Sequence, residues 1–294
     1  MEKYCVFDLE GGLGKHVAAT AVAKTIKNNH PERKLIVVCP YAEVFLNLPF
    51  VDRVYKKGNT PYFYDDYIKG KDTLIFKHEP YFTNEHIHKK LPLIENWANL
   101  YNLDYNNEQP ELRLNLVQQG IFEQKWRRDK PILLIHTNGG PMDGQKYDYS
   151  WTRDLPRNIL PPIIDTFKND YHIIQVCRKK EQSYGGIESV FQPMGTMEYL
   201  SMILFSSKRL LIDSSLQHAS KAFGLNSTVL WLGTSPSVFG HNTNYNFVGK
   251  VDETHKLPDS YFFDYGFNGE LHECPLFDPN IFDINQVIQS IIHQ

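Results

Sequence analysis

The sequence lacks the features that mark membrane proteins and strongly charged binding proteins. None of its apolar runs approaches the roughly 18 residues that a membrane-spanning helix needs, and no apolar signal core precedes the first strand-like segment. Its 31 Lys and Arg nearly balance its 34 Asp and Glu. The formal net charge of −3 therefore gives no electrostatic reason to expect nucleic acid or an anionic membrane as an obligatory partner. We expect a globular, cytoplasmic protein with no transmembrane segment.

Cysteine is scarce, and no metal-binding motif is complete. The four cysteines, Cys5, Cys39, Cys177 and Cys274, show no C-x-x-C or other metal-ligand spacing. This spacing predicts small core residues rather than a metal or redox centre. No Asp-x-Asp triplet occurs, so no carboxylate pair of that type is available for a divalent ion. We expect neither a metal nor a resident cofactor.

What the sequence does contain is an alternation of strand-like and helix-like segments. The apolar runs YCVFDL, RKLIVVC, PILLIH, YHIIQVC, RLLID and STVLWLG are separated by segments with apolar residues at helical spacing. This alternation predicts an α/β fold with parallel sheets covered by helices. A length of 294 residues suits two domains of ordinary size.

The alternation is interrupted by the charged segment QQGIFEQKWRRDKP, residues 118–131, where we place the domain boundary. The sequence thus predicts a first Rossmann-like domain in residues 1–128 and a second in residues 129–278. A closing amphipathic helix in residues 279–294 is expected to pack back toward the N-terminal domain. Within the first domain, residues 84–103 have the apolar spacing of one helix.

The segment EGGLGKHVAATAVA, residues 10–23, joins the first strand-like run to a small-residue helix pattern. It fails the P-loop pattern, because Leu9 and His16 stand where glycine and Ser or Thr are required. It also fails the dinucleotide fingerprint, since Val17 replaces a small residue and no acidic residue closes the next strand. A nicotinamide-dependent oxidoreductase is therefore disfavoured. The glycines still allow a ligand to approach closely, and the helix N-terminus offers N–H groups to an anion.

Four ionisable side chains surround this glycine loop. Lys15 and His16 lie at the predicted helix N-terminus, where the helix dipole disfavours a cation unless an anion is present. The same dipole pushes His16 toward its neutral form, which can accept a proton. Asp8 and Glu10 are within reach of the same loop. The loop therefore combines an anion site with candidate bases.

The glycine loop and two longer segments carry a family resemblance. Residues 11–23 are similar to the first loop of GT-B glycosyltransferases, in particular that of the enzyme adding N-acetylglucosamine to the peptidoglycan lipid precursor. The segments NNHPERKLIVVCPYAEVFLNLPFVDRVYKKG and GTMEYLSMILFSSKRLLIDSSLQHASKAFGLNSTVLWLGTSP resemble glycosyltransferase family 9, the heptosyltransferases. The matches together span nearly the whole chain. The resemblance implies a GT-B fold, in which two doubly wound, Rossmann-like domains face each other across a cleft.

The resemblance also implies how a nucleoside-diphosphate sugar, the donor, is bound. Asp213 ends a buried strand, and Ser214 and Ser215 open the next helix, which aims backbone N–H groups at a diphosphate. The family places the histidine matching His218 on the donor phosphates. Asp213 carries over as a donor-loop residue that either caps the helix or reaches the nucleotide.

Further donor contacts follow from the same resemblance. The family's phosphate-binding lysine, expected two residues before Trp151, is replaced by Tyr149, so Lys146 or Arg153 is expected to substitute for it. The remaining predicted donor-binding residues lie in the glycine loop and after two strands of the second domain: Gly12, Gly14, Lys15, Thr137, Asn138, Arg178 and Glu181.

The general base is the point at which this sequence departs from the family. Heptosyltransferases carry an aspartate at the position of Lys15, and a protonated lysine cannot deprotonate an acceptor hydroxyl at neutral pH. Three alternatives follow, ranked here in order. His16 takes the proton, as the second resemblance implies, or Asp8 or Glu10 takes it, or the chain binds nucleotide sugar without catalysis.

The predicted function is inverting, metal-independent sugar transfer to an acceptor hydroxyl. A saccharide of lipopolysaccharide type is the favoured acceptor, and a hydroxymethylated DNA base is the alternative. A nucleotide-sugar-binding protein without catalysis is the rival from another class. Aromatic residues of the first domain offer surfaces for stacking on a sugar or a base, and are equally compatible with packing on their own domain: Tyr62, Phe63, Tyr64, Tyr81 and Phe82. The sequence indicates no oligomeric state.

Overall fold

The computed structural model describes residues 1–139, 152–191, 194–250 and 280–294. Within these ranges the chain forms ten strands and ten α-helices. The strands are β1 (Lys3–Asp8), β2 (Lys34–Cys39), β3 (Arg53–Lys56), β4 (Asp72–Phe76), β5 (Ile132–His136), β6 (His172–Cys177), β7 (Glu188–Phe191), β8 (Lys208–Ile212), β9 (Thr228–Trp231) and β10 (Tyr245–Val248). The helices are α1 (Leu13–Asn29), α2 (Phe63–Tyr67), α3 (Asn84–Ile87), α4 (Leu93–Leu100), α5 (Leu116–Trp126), α6 (Leu160–Phe167), α7 (Thr196–Leu204), α8 (Ser215–Ala222), α9 (Pro236–Phe239) and α10 (Ile284–Ile292).

The first four strands form a parallel sheet in the order β3-β2-β1-β4. Side chains of β1 alternate between its two faces, as the period of two residues requires. Cys5 and Phe7 face the main core beneath α1, whereas Tyr4 and Val6 face a smaller cluster that includes Tyr67 of α2. Because both faces are covered, β1 reads in the sequence as a continuous apolar run.

The last six strands form a second parallel sheet in the order β10-β9-β8-β5-β6-β7. Leu134 of its fully buried strand β5 faces the main core, which it shares with Phe7 of the first sheet. Leu133 and Ile135 face a separate core beneath α6 and α10. The prediction of an α/β fold with parallel sheets is confirmed. The placement of a domain boundary at residue 128 stays a prediction.

The single helix predicted over residues 84–103 is wrong. Two helices, α3 and α4, occupy this range, and Pro92 stands between them as the N-cap of α4 with an extended ψ of 145°. Proline cannot continue a helix, because it has no N–H group and its ring clashes with the preceding turn. Thr83 caps α3 by accepting a hydrogen bond from the His86 amide at 3.2 Å.

The charged segment that interrupts the alternation is itself largely helical. Helix α5 begins with a capping box, in which Asn115 and Gln118 each accept a hydrogen bond from the other's backbone amide. At its end Trp126 is buried and donates its indole N–H to the Ser201 hydroxyl of α7 at 3.1 Å. We call the four-stranded sheet with its helices the first unit, and the six-stranded sheet with its helices the second unit. The end of α5 therefore packs on the second unit.

The closing helix α10 forms where predicted, but it packs on the six-stranded sheet and not on the four-stranded one. Val287 and Ile291 are fully buried in the core of the six-stranded sheet. The Ser290 hydroxyl lies 2.8 Å from that of Thr228 in β9, and the Gln294 amide donates to the Arg209 carbonyl at 2.7 Å. The expectation that this helix packs toward the N-terminal domain is therefore corrected. Its apolar stripe is matched by the open face of β8 and β9.

Three cysteines behave as predicted. Cys5, Cys39 and Cys177 are buried free thiols, and burial raises the pKa of Cys5 to about 11 and that of Cys39 to about 12. Cys274 lies outside the described residues. Among the helices of the described ranges, none has the length and apolar character needed to cross a membrane.

Candidate functional site

In both sheets the strand order reverses beside the first strand of the sheet. The reversal lies between β1 and β4 in the first sheet, and between β5 and β8 in the second. Ligands of α/β sheets bind outside the carboxyl ends of the strands at such a reversal. We call the loops after β1 and β4 (residues 9–12 and 77–79) the first switch point. The loops after β5 and β8 (residues 137–139 and 213–214) form the second switch point.

The helices that follow the two switch points contact each other at their N-termini. A Cβ atom on Gly14 of α1 would lie 3.3 Å from the backbone N and Cα of Ser215 and 3.4 Å from Cδ2 of His218 in α8. Only a glycine allows this close approach without a shift of the neighbouring backbone. Ser214 caps α8 by accepting a hydrogen bond from the Leu216 amide at 3.3 Å. Both helix ends present partial positive charge at this junction.

His16 is completely buried in the first turn of α1. Its Nδ1 lies 2.8 Å from the Gly12 carbonyl, so Nδ1 carries the proton and Nε2 keeps a lone pair. Nε2 accepts no hydrogen bond from the described residues. Burial lowers the pKa of His16, and the charge on Lys15 adds to this shift. The ring is therefore neutral, but it has no exposed surface that a substrate can touch.

Asp8 and Glu10 are both held by lysine. The Asp8 carboxylate lies 2.5 Å from the Lys57 ammonium and 3.5 Å from that of Lys77. Glu10, whose side chain is two-thirds exposed, lies 3.0 Å from the same Lys57 ammonium. The hydrogen bond from Lys57 holds the pKa of Glu10 below its ordinary value. Both carboxylates are thus engaged by the Lys57 ammonium.

Lys15 pairs with a carboxylate that the sequence did not single out. Its ammonium lies 2.6 Å from Glu79, in the loop after β4, and 4.8 Å from the centre of the Tyr81 ring. A Cβ atom on Gly11 would lie 2.5 Å from the Lys15 ammonium, so the glycine makes room for this arrangement. Glu79 comes three residues after the end of β4. Its place at a strand end was the signal that could have identified it.

At the second switch point a buried histidine orients the loops. His136, the last residue of β5, has Nε2 2.9 Å from the Asn138 carbonyl and Nδ1 2.8 Å from the Ser214 hydroxyl. Burial lowers the pKa of His136 to about 4, so the ring is neutral. Nε2–H therefore donates to the carbonyl, and Nδ1 accepts from Ser214. Thr137 donates to the Asn138 amide oxygen at 2.7 Å and accepts from Gln175 at 2.9 Å.

Asp213 and Arg153 lie beside this histidine. Asp213 is 8% exposed, and burial raises its pKa, while the positive charge of Arg153 opposes that shift. Burial is the main cause of the lowered pKa of His136, and the charges of Arg178 and Arg153 lower it further. A Cβ atom on Gly139 would lie 3.9 Å from the Arg153 Cβ, so this cationic residue lies at the second switch point. Lys146, the other candidate for this role, lies outside the described residues.

Arg178 is a buried residue that holds the loop after β5. Its guanidinium donates to the Asp154 carboxylate and to the Gly139 carbonyl, and both ionic side chains are buried. The Gly139 amide donates to the same Asp154 carboxylate at 3.0 Å. Glu181 is not brought to this group: it is exposed, and its carbonyl accepts from Arg157 at 2.8 Å. Arg178 thus holds the loop after β5 in place through its hydrogen bond to the Gly139 carbonyl.

His218 is buried where α8 meets α1, and a second histidine lies against it. Its Nδ1 is 3.0 Å from Nε2 of His241, and the two rings are nearly perpendicular. Burial lowers the pKa of His218 to about 4 and that of His241 well below its ordinary value. Both rings are therefore neutral. His241 has no local sequence signal, because it is far along the chain from α8.

The aromatic residues predicted for stacking divide into two groups. Tyr62, Tyr64 and Phe82 are 78%, 64% and 80% exposed. Phe63 packs on Tyr67, with 5.1 Å between ring centres, and Tyr81 packs beneath the Lys15 ammonium. The rings of Tyr62, Tyr64 and Phe82 are therefore exposed on the surface of the first unit.

Comparisons with known proteins give the class of fold. No protein-family model and no curated protein sequence matches the chain. Among solved structures, a glycosyltransferase family 9 protein from Veillonella parvula is similar over 99% of this chain and 96% of its own, with a TM-score of 0.69 and 12% identity. The chain therefore has the fold of glycosyltransferase family 9, as the resemblance predicted.

Two named enzymes share this fold. The ADP-heptose lipopolysaccharide heptosyltransferase II of Escherichia coli matches 98% of this chain and 99% of its own, with a TM-score of 0.63 and 10% identity. TibC from enterotoxigenic E. coli, a dodecameric, iron-containing glycosyltransferase, matches all of this chain and 80% of its own, with a TM-score of 0.66 and 12% identity. In the described part of this chain no group of three His, Cys, Asp or Glu side chains could hold such a metal. No iron site is therefore assigned.

Proposed function

We propose that this protein is a glycosyltransferase that moves a sugar from a nucleoside-diphosphate donor to an acceptor hydroxyl. Its two units then face each other across a cleft bounded by the two switch points. The observation that carries the proposal is the contact of Gly14 with Ser215, which brings both helix N-termini to one place. The family 9 fold supports the same conclusion.

The second switch point suits the leaving diphosphate. The N-terminus of α8 supplies backbone N–H groups, and Arg153 supplies a positive charge next to Asp213. His136 fixes the Ser214 hydroxyl, so these donors are oriented before the ligand arrives. Lys146, Thr137, Asn138 and His218 belong to the same proposed donor site. TibC has also been solved with ADP-D-β-D-heptose and E. coli WaaC with ADP, which supports adenosine diphosphate as the probe.

The first switch point suits the acceptor. Inverting transfer needs a base that takes the hydroxyl proton as the oxygen attacks the anomeric carbon. Each base predicted from sequence meets an obstacle: His16 has no exposed surface, and Lys57 occupies both Asp8 and Glu10. If no base operates, the chain is a nucleotide-sugar-binding protein. Release of nucleoside diphosphate from the sugar donor separates the two.

The proposed acceptor is a saccharide of lipopolysaccharide type. The exposed rings of Tyr62, Tyr64 and Phe82 support it, because aromatic faces stack on sugars. Transfer to hydroxymethylated DNA, with none to oligosaccharides, would overturn this choice of acceptor. Metal independence is proposed as well, and turnover is expected to persist in excess EDTA.

Titration calorimetry with ADP tests the proposal. We expect the wild-type chain to bind ADP and not NAD, and Arg153→Ala to weaken ADP binding by about tenfold, the loss of one charge-assisted contact. Arg127→Ala, which removes an exposed arginine at the end of α5, is the matched control and should bind as wild type. No binding of ADP, or of any other nucleoside diphosphate, would contradict the proposal.

A further inference from the structure

Glu79 stands at the first switch point with one carboxylate oxygen unused. Its Oε2 accepts from the Lys15 ammonium at 2.6 Å, while Oε1 accepts no hydrogen bond from any described residue. The Glu79 side chain is 27% exposed, against 13% for Lys15. Glu79 is therefore partly buried, paired with one lysine, and open to a second donor.

Glu79 is paired with a residue of α1, the helix that meets α8 at Gly14. Tyr81, two residues on, packs beneath the Lys15 ammonium. Burial is the main cause that raises the pKa of the Tyr81 hydroxyl, and the negative charges of Glu79 and Asp213 raise it further. Lys15 directly follows Gly14, and a Cβ atom on Gly14 would lie 3.3 Å from the Ser215 backbone. The pair of Lys15 and Glu79 therefore lies beside the start of α8, where the diphosphate is proposed to bind.

The other acidic groups of the first switch point are less suited to receive a proton. Asp8 is bound by two ammonium groups, those of Lys57 and Lys77. Glu10 is 67% exposed and shares Lys57 with Asp8. A base works best where geometry holds it against the reacting hydroxyl, which a water-exposed side chain does not provide. Glu79 combines one partner, partial burial and a free oxygen.

We propose that Glu79 is the general base of this site, an inference that rests on the proposed function. The acceptor oxygen bonds to the anomeric carbon, and its proton passes to the Glu79 carboxylate. The bond from the anomeric carbon to the phosphate oxygen breaks, and its electron pair leaves with the nucleoside diphosphate. The protonated Glu79 then returns its proton to water. Lys15 acts as a positioning residue that holds the carboxylate in place.

The test is Glu79→Gln, which keeps the shape of the side chain and removes its basicity. With ADP-D-β-D-heptose as donor and water as the acceptor, we expect kcat for ADP release to fall at least a hundredfold. The KM and the calorimetric ADP affinity should stay within twofold of wild type. Glu43→Gln, an exposed change of the same kind after β2, is the control and should keep the wild-type rate. Glu79→Asp should retain an intermediate rate, which guards against a folding defect in one variant.

The outcomes separate this inference from the proposed function. If Glu79→Gln binds ADP and releases it from the donor at more than half the wild-type rate, Glu79 is not the base. If KM rises and kcat is unchanged, Glu79 acts only by placing Lys15 on the donor, and the inference is again overturned. If the wild-type chain binds no nucleoside diphosphate, the proposed function fails and the inference fails with it.

Discussion

The two switch points of this molecule are built from different kinds of side chain. The first is lined by lysine–carboxylate pairs that keep part of their surface in water, among them Lys15 with Glu79 and Lys57 with Asp8. The second is lined by buried, neutral imidazoles such as His136 and His218. The difference matches two chemical tasks: proton transfer needs an accessible charged base, whereas holding a diphosphate needs dipoles that are fixed in advance.

The same contrast appears in how each region is supported. The second switch point rests on Arg178 and Asp154, an ion pair with both partners nearly excluded from water. At the first, the side chain of Lys57 is 32% exposed and that of Glu10 is 67% exposed. A buried pair is costly to break, while an exposed pair contributes little. The second region should therefore be the more sensitive to substitution.

The largest expected effect comes from Arg178→Ala. This change leaves the Asp154 carboxylate buried without its cation, so the free energy of unfolding should fall by about 3–5 kcal/mol. Lys168→Ala, which breaks the exposed pair with Asp165 in α6, is the control and should cost less than about 1 kcal/mol. Urea unfolding followed by circular dichroism measures both. Equal losses of unfolding free energy in the two variants would mean that the buried pair of Arg178 and Asp154 stabilises the second switch point no more than an exposed pair does.

As the pH falls, the buried imidazoles should destabilise the folded chain before the carboxylates do. His136 and His218 have pKa values of about 4 in the folded chain, against an ordinary value of 6.5. Between these values the unfolded chain binds the protons and the folded chain does not, so stability falls as pH falls, by up to about 1.4 kcal/mol per pH unit for each ring. The hydrogen bond from Lys57 lowers the pKa of Glu10. The stability that Glu10 contributes is therefore fully present above the ordinary pKa of 4.5 and is lost only as the pH falls further.

Urea unfolding at a series of pH values from 7 to 4.5 checks this order. His218→Asn should flatten the dependence on pH, because one shifted group is removed. His293→Asn, which changes an exposed histidine at the C-terminus, should leave the slope as in wild type. An unchanged slope in His218→Asn would show that this ring does not stay neutral when buried.

The smallest expected effect is that of Ser214→Ala. Loss of this N-cap should cost about 1 kcal/mol of stability. It should also weaken ADP binding by about tenfold, since the hydroxyl that joins His136 to α8 is lost. Ser235→Ala removes the corresponding cap of α9, where Ser235 accepts from the Ser237 amide at 3.3 Å. That variant should lose similar stability and keep its ADP affinity, so equal ADP affinities in the two variants would contradict a donor role for Ser214.

Local patterns in the sequence were sufficient to predict the sheets. Strands such as β5 are continuous apolar runs, and small residues line α1, so both read directly as parallel α/β structure. Pro92 ends the predicted long helix for a reason that the sequence also contains. The sequence could not predict which sheet α10 packs on, because an apolar stripe shows that a helix face is buried but not which partner buries it.

The site was predictable only in part. Gly14, Ser214, Ser215 and His218 were identified from their positions in motifs, and the structure brings them together. Glu79 was missed because its partner, Lys15, is distant in the sequence. Asp154 and His241 were missed for the same reason, since a buried pair between distant residues leaves no periodic signal. A role for the predicted donor and base residues stays a prediction.

The measurement that tests the account most directly is a crystal structure of the protein with ADP bound. We predict the diphosphate within hydrogen-bonding distance of the backbone N–H groups at Ser214 and Ser215, with Arg153 beside it. The terminal phosphate should point across the junction toward Glu79. Well-defined diphosphate bound away from the loop after β8 would contradict the central claim that the two switch points form one site.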